Sequence, residues 1–155
     1  MVRKSLVGLA LSLLASAPAL AFDLNEQLLG LSEVPFKVGQ VVSGSDLTTH
    51  HCPVSENGLV VCPIVKNSER GFGVILEKAE NQSRITSVFS YWKCDPAKCA
   101  GELEKTVAAL TKRLGAKPGV LDGTPIWRDR EKHQRDLMVE MLGSDMVSIL
   151  LIESK

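Results

Sequence analysis

Residues 94–115 read CDPAKCAGELEKTVAALTKRLG, and the period of this stretch decides the fold class. Leu103, Val107, Leu110 and Leu114 recur at i, i+4, i+7 and i+11, a spacing that places all four on one side of an α-helix. Glu102 and Glu104 come early and Lys112 and Arg113 late, which complements the helix dipole. Gly115 supplies the residue that most readily ends a helix in the left-handed conformation. Asp95 followed by Pro96 reads as an N-cap and a first helical residue. A helix is therefore expected over residues 96–114, with one apolar stripe to bury.

On both sides of that stretch the period is two. Upstream, Phe72, Val74 and Leu76 alternate with Gly73, Ile75 and Glu77, and a second run carries Ile85, Val88, Phe89, Tyr91 and Trp92 after a turn at 80–83. Further upstream, residues 45–52 and 58–65 read as two strands around a turn with Asn57-Gly58 at its tip. Residues 22–30 read as a short helical turn. Downstream, residues 125–130 read as a strand, Leu137, Val139 and Met141 alternate with Met138, Glu140 and Leu142, and Gly143-Ser144 suits a type II′ turn into a strand over 146–152. Strands, one helix, then strands imply an α+β domain: an antiparallel sheet of hairpins with one long amphipathic helix packed on one face.

The chain has 155 residues, 18 basic and 18 acidic side chains and four cysteines. Arg3 and Lys4 precede an apolar run over residues 6–14, and Ala19-Leu20-Ala21 offers small residues for cleavage, so residues 1–21 read as a secretory signal peptide. Residues 22–155 then form a single domain. Without Arg3 and Lys4 the charge is slightly acidic, which favours neither nucleic acid nor an anionic membrane surface. No apolar run approaches the roughly 18 residues of a membrane span, so a soluble, exported, periplasmic protein is expected.

Cysteines in an oxidising compartment pair. Proximity favours Cys52 with Cys62, as a cross-strand bridge of the first hairpin, and Cys94 with Cys99, flanking the start of the helix as a covalent counterpart of a hydrophobic staple. His50-His51-Cys52 with Cys62 could be read as a metal cluster. The spacing is not that of a zinc site and oxidation would consume the thiolates, so no metal and no cofactor are expected. No catalytic motif is present, and no enzymatic residue is assigned.

What remains is surface. Asp95, Pro96 and Lys98 lie in a segment that the second bridge would close and make rigid, which lowers the entropic cost of docking. Tyr91 and Trp92 are of the types that anchor interfaces, although alternation puts one of them in the core. Arg128, Arg130 and His133 belong to a charged stretch that reads as a solvated hairpin tip or a recognition loop.

With the leader over residues 1–21 and the pairs Cys52/Cys62 and Cys94/Cys99, the chain resembles the small exported two-disulfide proteins that bacteria use as immunity factors and inhibitors. Such proteins block lysozymes or toxic hydrolases delivered into the periplasm, including effectors of type VI secretion. The resemblance implies a non-catalytic protein whose partner is a toxin or hydrolase. Lysozyme inhibitors of the Ivy type are the alternative within it. They present a disulfide-closed loop with four residues between its cysteines, one of them histidine, where this chain has Asp95-Pro96-Ala97-Lys98. A small envelope enzyme or ligand carrier with a pocket between helix and sheet is the rival class.

Overall fold

A computed structural model describes residues 24, 31, 34–53, 58–63, 69–78, 82–129 and 134–154. The expected leader, all of the 22–30 turn but Leu24, the Asn57 tip, and Arg130 and His133 lie outside the described residues.

The two longest period-two runs pair as expected. β3 (Arg70–Lys78) and β4 (Ser83–Lys93) form an antiparallel hairpin, with Val74 opposite Val88 and Phe72 opposite Ser90. On its other side β4 pairs with β8 (Met146–Glu153), from Ser87 opposite Ile152 to Lys93 opposite Met146. β8 in turn pairs with β7 (Arg135–Met141) and β7 with β6 (Thr124–Asp129). With β2 (Leu59–Pro63) at one edge and β5 (Gly119–Leu121) at the other, the order is β2-β3-β4-β8-β7-β6-β5, antiparallel throughout. A two-residue β1 (Val41–Val42) adds to the start of β4.

The connection from β4 to β5 is a helix. α2 (Cys99–Leu114) leaves the end of β4 and delivers the chain to the far edge, from which β5 to β8 fold back strand by strand until β8 meets β4. Its stripe packs on one face of the sheet, against β7 and β8, with Leu110 and Leu114 buried and Leu103 and Val107 partly so. In the same core lie Val74, Val88, Leu137, Val139, Val147, Ile149 and Leu151. Trp127 joins this core and its indole N–H donates to Ala116 O at 2.9 Å. Gly115 ends the helix with φ 67°, as expected of a C′ glycine.

A bulge sets the pitch of β4. Ser87 pairs with Ile75 and Ile85 with Leu76, so Thr86 is the extra residue. Its hydroxyl donates to Ile75 O at 3.2 Å. The added residue lets Ile85 and Val88, three apart, both point into the core, where each is fully buried.

Three expectations are corrected and one strand is added. Residues 45–52 are not a strand: Gly44–Thr49 forms a second helix, α1. Ser43 and Asp46 make a capping box in which Ser43 N donates to the Asp46 carboxylate at 2.7 Å, and these bonds hold the Asp46 pKa below its usual value. The bridge Cys52–Cys62 consequently ties the residues just after a helix to an edge strand instead of crossing a hairpin. Second, α2 begins at Cys99, not Pro96, because residues 96–98 form a turn in which Lys98 N and Cys99 N both donate to Asp95 O. Third, β5 precedes β6 across a two-residue turn, Asp122-Gly123, with both φ angles positive (49° and 83°), the requirement of a type I′ hairpin. Fourth, β7 and β8 are joined by four residues, 142–145, with Leu142 N donating to Met146 O, in place of a two-residue II′ turn.

Two glycines of β3 are demanded by close contact. Gly71 and Gly73 stand opposite Tyr91 and Phe89, whose rings lie across them. A Cβ on Gly73 would fall 2.2 Å from Phe89 Cζ and 2.6 Å from Val60 O. Gly73→Ala should cost about 1–3 kcal/mol in urea unfolding of the oxidised protein, as overpacking does. The exposed helical Gly101, with nothing within 4 Å of its added Cβ, should gain up to about 1 kcal/mol as alanine. Equal effects at the two positions would refute the close-contact account.

Candidate functional site

The turn between Cys94 and Cys99 is an exposed segment closed by a disulfide. Asp95, Pro96, Ala97 and Lys98 are all exposed, while Cys99 is fully buried. Asp95 organises the turn from within, its carboxylate accepting from Ala97 N at 3.0 Å and its carbonyl from Lys98 N at 2.7 Å and Cys99 N at 3.0 Å. Cys94 N donates to Asp145 O at 2.8 Å, which fixes the turn to the β7–β8 loop. The disulfide Cys94–Cys99 closes it, with Cα atoms 5.4 Å apart. Both expected pairings are present, and every cysteine is bonded.

The other sequence-derived candidates do not gather around this turn. Trp92 points to the helix side and packs against the core, whereas Tyr91 is on the opposite face, across Gly71. Arg128 is on β6, across from Asp136, with Nε 4.0 Å from that carboxylate. By register it lies toward the end of the sheet opposite to the turn. His50 and His51 follow α1, both exposed, with the His50 ring edge-on to Phe36 at 5.1 Å. Among the described residues no group of three His, Cys, Asp or Glu side chains is placed to hold a metal ion.

The sheet has a second face, and α2 does not cover it. There the strand register lines up Val61, Gly73, Phe89, Leu150, Met138 and Ile126 as one apolar row across six strands. Leu59, Val61 and Ile75 remain exposed on this face. A groove of about 360 Å³ runs between Leu59, Val61, Phe89, Tyr91, Leu142 and Met146, with Lys93 at its end. An adjoining hollow of about 210 Å³ shares Leu59, Phe89 and Leu142 and adds Ile75, Leu150, Ser148 and Glu140. Sequence reading passed over this groove, although Phe89, Tyr91 and Lys93 at every second position carry its signal. Its far wall comes from Met146, which only the β4–β8 register brings alongside.

A third hollow, of about 540 Å³, is lined by Glu77, Thr86, Ser87, Asp136, Glu153 and Ser154 among others. Glu153 is held in a two-pronged ion pair with Arg84, which raises the Arg84 pKa. Arg135 donates to Leu24 O at 3.2 Å and Val38 O at 3.4 Å, anchoring the segment before β1. No described helix is long and apolar enough to cross a membrane.

Comparison of the chain with protein-family models, curated proteins and solved structures returns no match.

Tyr91 is the one tyrosine of the chain, so phenolate absorbance near 295 nm reports it alone. Burial raises its pKa above 10.0, because the charged form is poorly solvated against the sheet. The folded protein then keeps the phenol proton to higher pH than the unfolded chain, and stability falls as pH rises past 10. The native titration midpoint should lie above that of the same protein in 6 M guanidinium. Coincident midpoints would place the ring in water.

Proposed function

We propose that this is a non-catalytic, exported binding protein, an immunity factor or inhibitor that occludes the active site of an envelope-directed hydrolase. The observation that carries the reading is the turn Asp95-Pro96-Ala97-Lys98, exposed at all four residues yet held by a disulfide and four backbone-directed hydrogen bonds. A segment ordered before contact loses little conformational entropy on docking, so more of its contact energy appears as affinity. Its two opposed charges, Asp95 and Lys98, give it a means of selecting a polar cleft.

Inhibitor interfaces bury about 1,600 Å² in total, more than one turn supplies. The neighbouring surface that completes it is the loop 142–145, joined to the turn through Asp145, together with the exposed Met141. Trp92 packs, partly buried, on the helix side of the sheet, and Arg128 belongs to the other end of the sheet.

The test is capture of partners by the mature, oxidised protein from envelope and secreted fractions, alongside a double variant, Asp95→Lys with Lys98→Glu, that keeps both cysteines. One peptidoglycan-cleaving or other envelope hydrolase should be enriched by the first bait, lost with the second, and inhibited at a stoichiometric ratio. A loss of about tenfold or more in affinity is expected if the turn sits at the centre of the interface. Equal capture by both baits would take the turn out of the interface, and no inhibited enzyme would end the inhibitor reading.

A further inference from the structure

Along β4 the open face ends in a cation. Phe89, Tyr91 and Lys93 follow at every second residue, so the two rings form a floor and the ammonium group stands at its end. The remaining walls of the groove, Leu59, Val61, Leu142 and Met146, are apolar. Lys93 makes no ion pair among the described residues. At the other end the apolar path runs on over Leu150 and Ile75, while the carboxylate of the adjoining hollow, Glu140, stands to one side on β7, in the row of Tyr91 and Ser148.

We propose that this groove is a binding site for a single-chain anionic amphiphile, a fatty acid or an equivalent acyl carboxylate, with its head at Lys93 and its tail over Phe89 toward Leu150. The groove volume of about 360 Å³ falls within the range of small-molecule sites, and the hollow beyond it extends the apolar path. An occupant that was apolar along its whole length would strip water from the Lys93 ammonium and return nothing for it. A carboxylate there restores both a charge partner and a hydrogen-bond acceptor. Lys93 stands at one end of the apolar path and Leu150 and Ile75 at the other, so the ammonium group fixes one direction for the chain. The site goes beyond the inhibitor reading and does not depend on it, because the disulfide-closed turn lies outside the groove lining.

Sodium dodecanoate, dodecan-1-ol and dodecyltrimethylammonium, each below its micellar concentration, present the same tail with an anionic, neutral and cationic head. Titrated into the mature, oxidised, isotope-labelled protein, dodecanoate should shift the amide resonances of Leu59, Val61, Phe89, Tyr91, Leu142 and Met146 and bind most tightly. A surface ion pair is worth up to about fivefold over the alcohol, and salt should erode that margin. Shortening the chain to decanoate should weaken binding by up to about fifteenfold, the limit for two methylenes fully removed from water. Lys93→Gln should bring dodecanoate to the affinity of the alcohol, while Lys98→Gln, outside the groove, should change nothing. Equal affinities for the three head groups, indifference to Lys93→Gln, or shifts elsewhere in the protein would overturn the site. Resonances of this face that are broadened without amphiphile and sharpen on dilution would overturn it in favour of a second copy of the chain.

Discussion

The pairing of β4 with β8 is the contact on which the rest of the structure depends. It joins residues 87–93 to 146–152, so it closes the largest loop of chain in the sheet and unites what would otherwise be two separate runs of hairpins. Closing that loop costs chain entropy that local pairs do not. The helix α2 makes closure possible by carrying the chain to the far edge and burying its stripe over β7 and β8 on the way. β4 gains two partners along most of its length, and it is the strand from which the core on one face and the groove on the other both project.

The two faces follow from the same alternation and meet different ends. Val88 and Trp92 turn toward the helix and are packed, while Phe89 and Tyr91 turn away and find only glycines beneath them on the neighbouring strand. The absence of side chains at Gly71 and Gly73 lets the rings lie down, and this is why both are largely buried on a face that α2 leaves open. Apolar surface of this extent on an open face is unusual for a molecule that acts alone in water.

How much was legible in the sequence depended on the range of the interaction. The stripe of α2, the hairpins β3–β4 and β7–β8, the helix-ending role of Gly115 and both cysteine pairings are local patterns, and they read correctly. The turn signal at Asn57-Gly58 and the pair Cys52/Cys62 made residues 45–52 read as a strand, yet the capping box that wins there, Ser43 with Asp46, was itself present at its usual spacing. Asp95 was read as the cap of a helix beginning at once, whereas its carbonyl and carboxylate close a separate turn first. The groove was legible only along β4, where Phe89, Tyr91 and Lys93 alternate, because Leu59 and Met146 come from distant stretches whose register no local period reveals.

The bridge from Cys52 to Cys62 has a consequence for how the molecule keeps its own company. β2 is one of the two outer strands, and an outer strand offers unpaired backbone groups to any passing chain. The other outer strand, β5, is only three residues long, too short to template much. β2 is longer, and the disulfide pins it to the end of α1, restraining the one border from which the sheet could be extended. The bridge thus supplies something besides conformational stability: it restrains the side on which one copy could grow onto the next, a restraint that reduction would release.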